Sequence, residues 1–198
     1  MESSTKTLAR GRRVAASRLQ PLSRSEIGAF VNAIDTYRDR YLILRLMAYL
    51  ALRLDGLYKK EVYSIPVGGI YLDNCLIDMG DVAWPLVHSP AVLRAWLSVR
   101  RYKKGVTAIL TSPYGAVAQD RAVLLNIKKS GLFNPFDRLF GHPASGRVFA
   151  QTFVLFRGWE IRGIGGSESD VCHAVRRPLH RAKYVTEYLD RWEAKLYE

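Results

Sequence analysis

Residues 41–52 are apolar on almost every side of a helix, through Leu42, Leu44, Leu46, Met47, Leu50 and Leu52, and Arg53 follows at once. A helix with no polar face has nothing to turn to water, so it must lie at the centre of a packed domain. The stretch is too short to cross a bilayer and carries Arg45 within it. The rest of the chain therefore has to wrap around it. Arg53 adds a second constraint, because a guanidinium is almost never buried without a partner. Held rigidly at a helix end, it can grip a phosphate with two parallel hydrogen bonds. The plain alternative is a side chain that snorkels to the surface.

Helices should dominate on both sides of this element. Ser23-Arg24-Ser25-Glu26 has the form of a capping box, and Ile27, Phe30, Val31 and Ile34 follow at helical spacing. After Arg53 the period changes. Residues 62–66, 69–72, 76–79 and 82–86 are short, with Gly, Asp and Asn between them, and read as strands of a small antiparallel sheet. Ser89-Pro90 opens a further helix through Val92, Leu93, Trp96, Leu97 and Val99. Another runs through Val117, Ala122, Leu124 and Ile127. Residues 133–136 read as a loop, 147–156 as an apolar helix ending at Gly158, and 163–169 as a glycine-rich loop. A last amphipathic helix carries Tyr184, Tyr188, Leu189, Trp192 and Leu196. The expected class is α+β, mostly helical, with helices around a small antiparallel three-stranded sheet. Residues 1–20 read as a basic flexible arm, and residues 21–198 as one domain.

The formal net charge is +12, an excess that favours a polyanionic partner, nucleic acid above all. Positive residues cluster at Arg10, Arg12 and Arg13, at Arg100, Arg101, Lys103 and Lys104, and at Arg176, Arg177 and Arg181. These are the candidate DNA-backbone contacts. Solvated helix ends are the bland alternative for the second group. No basic amphipathic helix points to a membrane, and the two cysteines, far apart, suggest neither a disulfide framework nor a metal site. No apolar signal-peptide core opens the chain, so a cytoplasmic protein of a prokaryote, its virus or its plasmid is the simplest expectation.

Three local motifs carry a resemblance. Tyr49-Leu50-Ala51-Leu52-Arg53, followed by Leu54 to Leu57, is similar to the Tyr-Thr-Gly-Leu-Arg-x-x-Glu-Leu box of the tyrosine recombinases (phage integrases). Arg147-Val148-Phe149-Ala150, with Gly158 about three turns on, resembles the second arginine helix of that family. Tyr184-Val185-Thr186-Glu187-Tyr188-Leu189-Asp190 is similar to the family's Thr-Thr-x-x-Tyr-Leu-Asp ending. The order of elements matches as well. The resemblance implies a domain that cuts and rejoins double-stranded DNA in recombination, integration or mobilisation of a mobile element. In that reading Arg53 and Arg147 clamp the scissile phosphate, Tyr188 attacks to give a 3′-phosphotyrosyl link, and His180 assists proton transfer. Rejoining then needs no cofactor and no metal.

The pattern is incomplete. Ala144 stands where the family has a histidine, and His142 has the wrong spacing. Gly56 stands where an acidic residue belongs, with Asp55 as a substitute. The turn Met79-Gly80-Asp81-Val82 lacks the family's lysine. Leu179-His180 is the nearest counterpart of the family's Leu-Gly-His, one residue short before Tyr188, and Tyr184 with His173 is a second pairing. The alternative is therefore a catalytically degenerate DNA-binding accessory or structural protein on the same fold. With only the basic arm ahead of the domain, DNA would be gripped from one side. A partner protein supplying a second clamp, or an oligomer assembled on the DNA, would complete the grip. A basic helical protein that binds RNA or another protein is the remaining alternative, though no RNA-module signature is present.

Overall fold

The structure, a computed structural model, describes residues 19–111 and 134–198. The basic residues Arg10, Arg12 and Arg13 and the helix expected over residues 117–127 lie outside the described residues.

Helix α1 (Arg24–Asn32) begins at the capping box read from the sequence: the Glu26 N–H donates to Ser23 Oγ at 3.3 Å and the Ser23 N–H donates to Glu26 Oε2 at 2.7 Å. After a 3-10 turn (Asp35–Tyr37), α2 (Tyr41–Leu54) runs through the centre of the domain, with Leu44, Leu46, Met47, Leu50 and Leu52 fully buried. Arg45 is buried with them and donates to the Thr111 carbonyl at 3.1 Å. The short helix α3 (Lys59–Ser64) follows, then a 3-10 turn (Val67–Gly69) and three antiparallel strands: β1 (Ile70–Tyr71), β2 (Leu76–Asp78) and β3 (Ala83–Pro85). The strands lie in the order β1-β2-β3, with Ile70 opposite Ile77 and Ile77 opposite Trp84. Helix α4 (Pro90–Val99) packs on α2.

The second half is helical. Helix α5 (Asn134–Phe140) seats Phe136 against Phe30, and α6 (Gly146–Gly163) packs along α2. The chain finishes with α7 (Glu168–Ala174), a 3-10 turn (Leu179–Arg181), α8 (Ala182–Trp192) and a terminal 3-10 turn (Glu193–Leu196). Two apolar clusters result. The larger surrounds α2, and the smaller joins Val154 and Leu155 of α6 to Val171, Cys172, Val185, Leu189 and Leu196. Mostly helical with a small three-stranded antiparallel sheet, the architecture is the expected one.

Four local expectations are corrected. Residues 62–66 do not form a strand. Most belong to α3, because Glu61 reaches back to the Tyr58 N–H at 2.5 Å and starts a helix that buries Val62. Residues 134–136 open α5 rather than a loop. Gly158 does not end α6; it sits within the helix where Leu189 of α8 comes so close that an added Cβ would stand 2.8 Å from a Leu189 methyl. The supposed loop at residues 163–169 already contains the start of α7, capped by Ser167 and Asp170 in a second capping box.

Gly56, three residues past Arg53, has φ +89°, and a side chain there would strike the Phe153 ring of α6. Gly56→Ala combines left-handed strain with overpacking, so it should cost about 2–4 kcal/mol. Equilibrium urea unfolding checks this. A loss below about 0.5 kcal/mol would contradict such close packing between the turn after α2 and α6.

Candidate functional site

Arg53 sits in the last turn of α2 and its guanidinium is only partly exposed. Nη1 donates to the Leu57 carbonyl at 2.5 Å and Nε to the Gly146 carbonyl at 3.4 Å. The first bond closes the turn after α2, and the second ties that turn to the start of α6. Burial holds this guanidinium below its ordinary value. Tyr49 counters the effect, the positive charge of Arg177 adds to it, and Glu61 and Tyr58 oppose it. Its counter-charge is shared, because Glu61 is already held by Arg176.

Arg147 is the second residue of α6 and projects into solvent. Among the described residues it has no hydrogen-bond or ion-pair partner. One turn further along the same helix, the Gln151 carbonyl accepts a hydrogen bond from the Tyr188 hydroxyl at 3.0 Å. Helix α8 can present Tyr188 there because Val185 and Leu189 turn inward onto α6 and α7. Burial pushes the Tyr188 hydroxyl well above the ordinary tyrosine range, and Arg177 pulls it part of the way back. Along the first two turns of α6, Arg53 thus meets the first residue, Arg147 is the second, and Tyr188 meets the sixth. Tyr184 lies one turn before Tyr188 on α8 and is 72% exposed.

His180 lies exposed on the 3-10 turn before α8. The residue within electrostatic reach of both Arg53 and Tyr188 is Arg177. Asp55 does not face Arg53 either. Its buried carboxylate accepts from the His88 N–H at 2.8 Å, the Ser89 N–H at 3.1 Å and the Ser89 hydroxyl at 2.5 Å, and so caps α4. Burial pushes that carboxyl up, and the three hydrogen bonds pull against it. The carboxylate near Arg53 is Glu61 of α3. Burial raises Glu61, but its bonds to Arg176 and the Tyr58 N–H, with the charges of Arg176 and Arg53, more than offset this and hold it low. His142 is taken up by α1, its Nε2 lying 3.2 Å from Glu26 Oε1.

The remaining basic residues divide. Arg100 spends its guanidinium on the carbonyls of Val106, Ala108 and Ile109, fastening the loop after α4. Arg101 lies over the Tyr41 ring, while Lys103 and Lys104 are exposed. Arg176 is ion-paired with Glu61, and Arg181 is exposed. Sequence reasoning placed Arg176 and Arg177 only in a basic run. The signal that separates them is Glu61 in the helix after Arg53, which takes one arginine and leaves the other free.

No family model matches the sequence, and no curated protein matches it. Among solved structures, the fold is shared with a crystal structure of XerA recombinase at a TM-score of 0.59 and 12% sequence identity. The match covers 88% of this chain and 62% of that one, so the chain spans less than two thirds of the recombinase's length. The likeness is one of fold.

The raised Tyr188 hydroxyl has a measurable consequence. A group whose pKa is higher folded than unfolded contributes stability below its unfolded pKa and loses it as pH rises through the folded one. In a 295 nm titration Tyr188 should therefore ionise above the ordinary tyrosine range. Its contribution to stability should fade from the ordinary tyrosine pKa upward, and Tyr188→Phe should remove a late step. If that step survives in Tyr188→Phe, the hydroxyl is not buried as described.

Proposed function

We propose that this chain binds double-stranded DNA and cuts and rejoins one strand at a phosphodiester held between Arg53 and Arg147. The supporting observation is the convergence at the start of α6, where Arg53 bonds the Gly146 carbonyl, Arg147 follows, and the Tyr188 hydroxyl sits one turn on. Tyr188 Oη attacks phosphorus, the bond from phosphorus to the 5′-oxygen breaks, and a 3′-phosphotyrosyl link and a free 5′-hydroxyl result. The phenol gives up its proton and the leaving 5′-oxygen takes one up. The reverse attack rejoins the strand, so the bond energy is conserved and no cofactor is required. Charge grows on the non-bridging oxygens in the transition state, which is where preorganised guanidinium donors act. The partners in this reading are DNA and, assembled on it, another copy or a partner protein. The role is recombination, integration or mobilisation of a mobile element.

A second reading, DNA binding without chemistry, has its own support. The Tyr188 hydroxyl is committed to a backbone carbonyl, and burial disfavours the phenolate needed for attack. The turn between β2 and β3 has no lysine, and a buried alanine, Ala144, stands where a histidine would serve. Each missing proton-transfer group commonly costs about a hundred- to ten-thousand-fold in rate. A site that retains activity should therefore be slow.

Nicked suicide duplexes drawn from the DNA flanking the gene separate the two readings. With wild-type protein, a band that resists SDS is expected, and Tyr188→Phe should abolish it while leaving duplex affinity within about twofold. Arg53→Ala should weaken affinity and eliminate the band. Gel shifts without a covalent band would favour the binding-only reading, and absence of any shift at low salt would sink both.

A further inference from the structure

The end of α7 is built around a residue in an unexpected conformation. The Arg177 N–H donates to the Cys172 carbonyl at 2.8 Å and the Arg176 N–H to the His173 carbonyl at 3.0 Å, the two bonds of a Schellman motif. The residue in its left-handed position is normally glycine; here it is Arg176, with φ 56°. A side chain in that conformation is disfavoured, because its Cβ crowds the following carbonyl oxygen. Strain of this kind persists where surrounding contacts over-determine it.

Those contacts are specific. The Arg176 guanidinium makes a two-pronged pair with Glu61, one arm at 2.8 Å. It lies over the Tyr58 ring at 4.3 Å and the Trp84 ring at 4.8 Å. The Tyr58 hydroxyl donates to the Arg176 carbonyl. Tyr58 directly follows Leu57, whose carbonyl takes the Arg53 hydrogen bond. The peptide joining Arg176 to Arg177 is thus docked one residue from the anchor of Arg53. Arg176 is neutralised in the process, whereas the Arg177 guanidinium has no hydrogen-bond or ion-pair partner among the described residues.

The geometry points to Arg177 as a third guanidinium of the phosphate site, set in place by Arg176 as a positioning residue latched to Glu61, Tyr58 and Trp84. This rests on the DNA reading above and adds to it a residue that contacts the reacting phosphate and a device that aims it. Arg177 lies within electrostatic reach of Arg53, and the nearby carboxylate, Glu61, is already spent on Arg176. An anion between Arg53 and Arg177 removes their repulsion, and a phosphodiester supplies it.

The test measures duplex affinity across a salt series by fluorescence anisotropy, and the rate of covalent adduct formation at saturating nicked duplex. The proteins are wild type, Arg177→Ala, Arg177→Lys, Arg176→Gly and Glu61→Gln, each confirmed folded by circular dichroism. Arg177→Ala should reduce the slope of log affinity against log salt by about one and slow adduct formation about a hundredfold. Arg177→Lys should restore the slope but not the rate, since a lysine keeps the charge without the fork. Arg176→Gly suits the left-handed backbone, so it should fold, bind duplex within about twofold and lose about ten- to a hundredfold in adduct rate. Glu61→Gln should lose rate in the same way.

An unchanged slope and rate in Arg177→Ala would overturn the assignment. Wild-type rates in Arg176→Gly and Glu61→Gln, beside a damaged Arg177→Ala, would overturn the latch. If wild type forms no adduct but Arg177→Ala still lowers the slope, strand cleavage fails while Arg177 stands as a phosphate contact. A wild-type protein that does not bind duplex at low salt overturns both.

Discussion

The bonds from the Arg53 guanidinium to the carbonyls of Leu57 and Gly146 hold the site and the fold together at one point. They close the turn after the central helix and tie it to the start of α6. A cation taken partly out of water and paired mainly with carbonyl oxygens is incompletely compensated. Its neighbours make the deficit larger, since Arg177 adds positive charge and the nearest carboxylate, Glu61, is committed to Arg176. The same residues that stabilise the chain's path therefore leave a place where an anion is favoured. That is the physical core of the phosphate-site reading.

The large positive charge of the chain is not all available to an external partner. Arg100 is spent on three backbone carbonyls, Arg162 pairs with Asp190, Arg94 with Asp73, and Arg176 with Glu61. Each of these groups holds two parts of the fold together and is to that extent withdrawn from an external partner. Among the described residues, Arg147, Arg177, Arg181, Lys103 and Lys104 lack such internal pairs. Internal pairing thus selects which members of each basic cluster remain available. In two cases neighbours in sequence differ in this way: Arg100 against Lys103, and Arg176 against Arg177.

Features governed by local chemistry were legible in the chain. The capping box at Ser23 and Glu26, the fully apolar α2, Pro90 at the start of α4 and the glycine-punctuated sheet all follow from short-range rules. Features decided by partners distant in sequence were not. Gly158 looks like a helix end until Leu189, 31 residues later, is seen to occupy the space its missing side chain leaves. Asp55 looks like a partner for Arg53 until the start of α4 claims it through His88 and Ser89. His180 was chosen for its spacing from Tyr188, a rule that gives no sign that Arg177, three residues earlier, lies within electrostatic reach of both Arg53 and Tyr188. The capping box at Ser167 and Asp170 was present in the sequence and would have revealed α7, but the glycines before it read as loop.

The most direct measurement is a crystal of the protein soaked with tungstate, a tetrahedral oxyanion that stands in for the phosphate and is located by its anomalous scattering. The account predicts one peak bounded by the guanidinium groups of Arg53 and Arg147 and adjacent to the Tyr188 hydroxyl, filling before any site on the exposed lysines. Tungstate bound to surface lysines with that place vacant would contradict it.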